Sequence, residues 1–199
     1  SRFQSNQLAL LDSEHSKIEW TGGDKIREFG DKLQNFEGIS EVKPPAGLQA
    51  ELRHYQIDGL SWLQFLREYR LGGILADDMG LGKTIQTLAL LQARCEAGAI
   101  GPALLIVPTS LLHGWQSQAA QFTPDLRLVV LHGTGRANRR EQALQADLVI
   151  TTYPLLARDV AWLSDQQWPL VILDEAQTLK NPASQMAKSL RESPATGRV

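Results

Sequence analysis

The sequence predicts an α/β fold, a parallel sheet with helices on both faces, behind a helical lead-in. Three observations predict it. Short apolar runs recur at residues 71–76, 103–107, 126–131, 148–151 and 170–173. Segments with helical spacing separate them. The runs are nearly continuous instead of alternating, as in strands buried on both faces.

Residues 1–46 stand apart as a polar lead-in and linker. Ile26, Phe29, Leu33 and Phe36 recur at the spacing of one amphipathic helix, and Pro44, Pro45 and Gly47 then break the chain. The main domain is predicted over residues 47–199. Its first helix spans 52–68, and the run at 71–76 leads into a glycine-rich turn. Helices follow over 83–97 and 110–122, with further helical segments between the later strands. Leu52, Tyr55 and Trp62 are expected to pack within the first helix's surroundings, and Trp115, Trp162 and Trp168 to anchor the core.

Composition narrows the class. At 199 residues the chain suits one large domain with an appendage and can bury a sizeable core. Its net charge of -2 gives no global attraction for nucleic acid, so any basic surface is local. The single cysteine, Cys95, excludes a disulfide framework and a cysteine-rich zinc site. His113 and His132 have no partners at metal spacing. No apolar run approaches the ~20 residues of a membrane span, and the start carries no basic-then-apolar leader. A soluble, cytoplasmic protein without a membrane partner is expected.

The chemistry is concentrated in two places. In ILADDMGLGKTIQ, residues 74–86, an apolar run enters a turn with Gly80 and Gly82, and Lys83 and Thr84 open a helix. Backbone N–H groups and the positive end of that helix can surround a phosphate chain. Lys83 would reach the β- and γ-phosphates, and the Thr84 hydroxyl would bind Mg²⁺. Asp77 stands where the general phosphate-loop pattern has its first glycine. A glycine turn that merely opens a helix would give the same local pattern.

The second place is LVILDEAQ, residues 170–177, an apolar strand ending in paired acids. Asp174 can hold the hydrated Mg²⁺, and Glu175 can orient and deprotonate the attacking water. Taken alone, two solvated acids after a buried strand read the same way. Together the two motifs point to ATP and Mg²⁺, with Lys83 and Glu175 as catalytic residues.

The ordered series LRHYQIDGLSWL, DDMGLGKT, LLIVPTSLLHGW, ITTYP and DEAQTLKNP resembles the first lobe of bacterial-type SWI/SNF-related ATPases, in helicase superfamily two. The resemblance covers roughly residues 48–199. It implies a RecA-like ATP-binding lobe, with a second RecA-like lobe as partner and duplex DNA as track. Gln56 is then the adenine-reading glutamine. Asp78, Met79, Gly80, Leu81, Gly82, Lys83 and Thr84 form the nucleotide loop, and Thr84 and Asp174 are the metal residues. Pro108, Thr109 and Ser110, and Thr151, Thr152 and Tyr153, map to motifs that grip the DNA backbone. Ordinary helix caps account for these residues equally well. Lys180 and Asn181 continue the pattern towards DNA or lie on a solvated loop, and Gln177 couples the nucleotide to the cleft between lobes. Arg136, Arg139 and Arg140 form the one dense basic patch, with a solvated face the simpler reading.

The function implied is ATP hydrolysis coupled to translocation on DNA, nucleoid-associated in a bacterium. The alternatives are an ATP- and DNA-binding module without turnover, and an RNA helicase lobe. Members of the family place a strand from just after the acidic motif between the runs at 71–76 and 170–173. The chain is expected to stop before that strand, leaving those two runs about two strand spacings apart, not paired.

Overall fold

The computed structural model describes residues 38–69, 71–76 and 80–176. The lead-in helix predicted around Ile26–Phe36 lies outside these residues. So do Asp77, Asp78, Met79, Gln177, Lys180 and Asn181. The compact unit that holds the site begins at Ile39, and its first residues join the core. Val42 packs against the main apolar cluster, and its backbone N–H donates to Ser61 Oγ at 3.1 Å.

Helix α1, His54–Glu68, starts where the Gln56 side chain accepts the backbone N–H of Arg53 at 2.9 Å. That bond satisfies an amide that the helix cannot reach. Leu60, Leu63 and Leu66 recur every third residue and are all but fully buried. Leu52 is buried, as predicted, but Trp62 and Tyr55 stay on the surface, Trp62 stacked on Phe65. Helix α2 is Lys83–Glu96.

Among the described residues four parallel strands follow, β1 Ala103–Val107, β2 Leu128–Val130, β3 Leu148–Thr152 and β4 Leu170–Leu173. Their order across the sheet is β2-β3-β1-β4. β1 lies inside the sheet, and each of its five residues is fully buried, which explains its unbroken apolar run. Successive side chains point to opposite faces. Leu105, Val107, Ile150 and Ile172 join the cluster with α1, α2 and helix α3, Leu112–Phe122. Leu104, Ile106, Val149 and Val171 join the other, with Trp168 and Leu163. The short helices α4 Arg140–Leu144, α5 Tyr153–Arg158 and α6 Val160–Ser164 complete the connections. The sheet covered on both faces is the predicted architecture.

Residues 71–76 do not form the predicted strand. A strand needs a ladder partner for its N–H and C=O groups, and none of the described residues supplies one. Leu71 N–H instead turns back to Leu66 O at 2.7 Å, and Ile74 is 83% exposed. The segment also presses close to α1, where a Cβ on Gly73 would meet Leu66 Cδ1 at 2.1 Å. Among the described residues no backbone hydrogen bond joins it to β4, which pairs with β1. The third run is shorter than predicted because only Leu128–Val130 pairs with β3. The helix predicted from 110 opens with a 3-10 turn, Thr109–Leu111.

Candidate active site

Parallel strands in register deliver their ends to one edge of the sheet. Val107 lies beside Thr152 and Ile106 beside Leu173. The ladder continues one step further, with Asp174 N–H donating to Ile106 O at 2.9 Å. Thr109 and Ser110, Tyr153, and the acids Asp174 and Glu175 therefore leave the sheet together. This edge is where ligands bind in open α/β sheets.

The phosphate loop meets that edge through α2. Gly80 and Gly82 have φ of 87° and 83°, a left-handed conformation natural to glycine. Gly82 is the N-cap of α2, so the positive end of the helix, with Lys83 and Thr84 in its first turn, opens beyond it. Lys83, Thr84, Asp174 and Glu175 line one cavity of about 600 Å³, with residues 73–76, Ile172, Leu173 and Trp115 on its walls. The two motifs, far apart in the chain, thus share a site. Among the described residues no three His, Cys, Asp or Glu side chains gather for a metal. One hydroxyl and one carboxylate, with open space between, suit Mg²⁺, which takes most of its ligands from phosphate and water.

Gln56 is 8% exposed, and its amide is engaged at both ends. Oε1 accepts from Arg53 N–H, and Nε2 donates to Leu81 O at 3.1 Å. The glutamine therefore braces the phosphate loop. Its second amide hydrogen and second oxygen lone pair leave it the capacity to bond a base edge as well.

Thr109 and Ser110 are exposed on the turn after β1, and Pro108 opens that turn by accepting Leu111 N–H at 3.0 Å. Thr109 and Ser110 keep an outward position suited to phosphate contact, with Pro108 half-buried beside them. The second predicted set does not. Thr151 and Thr152 are each 1% exposed, and Thr151 Oγ1 donates to Leu131 O at 3.2 Å. Their hydroxyls are internal because β3 continues to Thr152, one residue beyond its predicted end. Tyr153 is also buried, and its hydroxyl donates to the Asp174 carbonyl at 2.7 Å. It supports the acidic loop from within.

Trp115 was expected only as a core anchor, yet its indole Nε1 donates to Asp174 Oδ2 at 2.7 Å. The one available sequence signal was that a buried indole N–H needs an acceptor. Glu175 follows with φ 51°, the one non-glycine residue with positive φ among those described. Such backbone costs on the order of 1–3 kcal/mol and gathers at functional sites. The basic patch is partly spent internally. Arg136 and Arg140 both bind Asp159, Arg140 covers the Trp162 ring at 5.0 Å, and Arg139 donates to Val130 O. No helix among the described residues is long and apolar enough to cross a membrane.

Residues 55–199 match the family profile described as the SNF2-related domain. The TATA-binding protein-associated factor MOT1 of Saccharomyces cerevisiae is 37% identical over 190 residues, 88% of this chain and 10% of that protein. The putative ATP-dependent helicase/translocase YwqA of Bacillus subtilis is 38% identical over 188 residues, 92% of this chain and 20% of that protein. Fungal and bacterial relatives thus match to nearly the same degree. Among solved structures, the Sulfolobus solfataricus SWI2/SNF2 ATPase core in complex with dsDNA superposes with a TM-score of 0.74 at 36% identity. That match covers 80% of this chain and 33% of the archaeal one.

Proposed function

Since the chain belongs to the SNF2-related domain family, we propose that it is the ATP-binding lobe of an ATPase that translocates on duplex DNA. The observation that carries this reading is the single cavity lined by Lys83, Thr84, Asp174 and Glu175. The phosphates of ATP bind at the first turn of α2, where the positive end of the helix and the Lys83 ammonium offset their charge. Thr84 and Asp174 would hold a hydrated Mg²⁺, which when bound would neutralise charge on the phosphoryl oxygens. Glu175, at the rim of the same cavity, orients the attacking water and accepts its proton. Gln56 reads the base from α1 with the donor and acceptor capacity its present bonds leave.

Duplex DNA is assigned to the edge carrying Pro108, Thr109 and Ser110, supported by the exposure of Thr109 and Ser110 and by the DNA-bound state of the archaeal structure. Lys180 and Asn181 are proposed to extend this contact, and Gln177 to link the nucleotide to a second RecA-like lobe. That lobe would contribute arginines to the transferring phosphoryl group. The setting is intracellular, where the DNA is.

The test is calorimetry of Mg·ATP binding, followed by steady-state ATPase with duplex DNA or RNA in a two-lobed protein. Lys83→Ala should weaken ATP binding by one or two charge-assisted contacts of roughly 1.5–3 kcal/mol each. Glu175→Gln should keep ATP affinity and abolish turnover, and DNA should stimulate where RNA does not. Equal ATP affinity in wild type and Lys83→Ala would sink the assignment.

A further inference from the structure

The carboxylate assigned to Mg²⁺ is not oriented by its own strand. Asp174 is the first residue beyond β4, and the chain turns at once through the positive φ of Glu175. Its side chain and its carbonyl are held from two other elements. From α3, Trp115 Nε1 donates to Oδ2 at 2.7 Å. From the start of α5, the Tyr153 hydroxyl donates to the main-chain carbonyl, also at 2.7 Å.

The Trp115 bond is a strong one. Its acceptor is a carboxylate, and charge-assisted bonds of this length are about twice as strong as neutral ones. Trp115 is 5% exposed, so its N–H has little water to turn to if the carboxylate rotates away. With Oδ2 engaged, Oδ1 is left for a cation and its water shell.

Trp115 also connects this carboxylate to the outside of the lobe. It lies in the first turn of α3, directly after the exposed turn Thr109–Leu111. The two are one continuous helical segment, since Leu112 N–H donates to Thr109 O across their junction. Thr109 and Ser110 are thereby joined through one short helical segment to the indole that holds Asp174.

We propose that Trp115 is a positioning residue for the Mg²⁺ site. Its indole N–H fixes the Asp174 carboxylate with one oxygen free for the cation. Through α3 it ties that orientation to whatever binds the turn Thr109–Leu111, for which backbone phosphates of duplex DNA are the fitting chemistry. This rests on the reading of the cavity as a Mg·ATP site, and the following experiment separates the two.

Trp115→Phe keeps an aromatic ring in the core and removes only the donor and part of the ring. Mg²⁺ is titrated into each protein at saturating ATP, and ATP affinity is measured separately in EDTA. The expected result is a Mg²⁺ midpoint raised roughly tenfold in Trp115→Phe, the loss of one charge-assisted bond. ATP affinity in EDTA should fall by much less than this. An unchanged Mg²⁺ midpoint, or equal losses with and without metal, overturns the inference. A second measurement does not depend on the variant folding. In the chain labelled with 5-fluorotryptophan, which has five tryptophans, the fluorine resonance of Trp115 should shift with Mg·ATP and not with ATP in EDTA. A short duplex should move the same resonance. A Trp115 signal indifferent to both additions overturns the proposal. A wild type without Mg²⁺-dependent ATP binding overturns the reading of the cavity and this inference with it.

Discussion

A Cβ on Gly82 would lie 2.4 Å from Nε2 of Gln56, so the phosphate loop touches α1 with no room for a methyl group. The same amide donates to Leu81 O. A substitution at Gly82 therefore strains the loop backbone and pushes out the residue assigned to adenine.

Gly82→Ala should lower stability by about 1–3 kcal/mol. Left-handed backbone alone costs an L-residue ~1–2 kcal/mol, and Gln56 must also move. Urea unfolding checks the first effect and calorimetry with ATP the expected loss of affinity. Equal values for both proteins would show that the loop and α1 are not coupled in this way.

Thr151→Val separates packing from DNA contact. The change keeps the shape of a buried side chain and leaves Leu131 O without its Thr151 Oγ1 partner. A loss of about 1–2 kcal/mol in stability is expected, with affinity for duplex DNA unaffected. A selective loss of DNA binding would return Thr151 to the contact surface.

Thr109→Ala with Ser110→Ala should show the opposite pattern. Both side chains are exposed, so stability should change by less than about 0.5 kcal/mol. Binding to duplex DNA should weaken to a similar extent for any base sequence, and wild-type binding should fall as salt rises. Sequence-selective binding that persists at high salt would contradict phosphate contact.

Asp147 gives the lobe a pH signature. Arg127 donates to it from Nε at 3.0 Å, from its second guanidinium arm at 2.7 Å and from its backbone N–H at 2.9 Å. The Arg127 hydrogen bonds hold the Asp147 carboxyl below the usual carboxylate range, with partial burial working against them. A lowered folded value means stability present above the unfolded value of about 3.9 and lost as pH falls through the folded one. Asp147→Asn should therefore cost about 1 kcal/mol at pH 7, a modest figure because the Arg127 side chain is 69% exposed and screened. Urea melts at pH 7 and near pH 3 should show the gap between the two proteins closing. A gap that stays constant would remove the carboxylate from the account.

Much of the site was legible because its chemistry is local. Gly80, Gly82, Lys83 and Thr84 need only their own turn and helix to present backbone N–H groups, and Asp174 and Glu175 need only a strand end. The unbroken apolar run 103–107 likewise follows from burial on both faces. The run 71–76 looked equivalent, yet whether it becomes a strand depends on a ladder partner, which its own composition does not encode. The hydroxyls of Thr151 and Tyr153 misled for a similar reason. Their acceptors, Leu131 O and Asp174 O, lie 20 and 21 residues away in the chain. A polar side chain at a strand end reads the same whether it faces water or a neighbouring carbonyl. Trp115 went unrecognised for its bond to Asp174 because that partner is 59 residues distant.

The pairing of Val107 with Thr152 gives β3 an all-or-none tolerance to insertion. Adding or deleting one residue within it would rotate every later side chain of the strand to the opposite layer. Val149 would trade places with the cluster that holds Leu148 and Ile150, an exchange of similar apolar groups that composition barely registers. Tyr153, however, would swing away from Asp174. Length variation in β3 would thus disturb both apolar layers and disconnect the acidic corner, so natural gains and losses of residues should fall in the loops on either side.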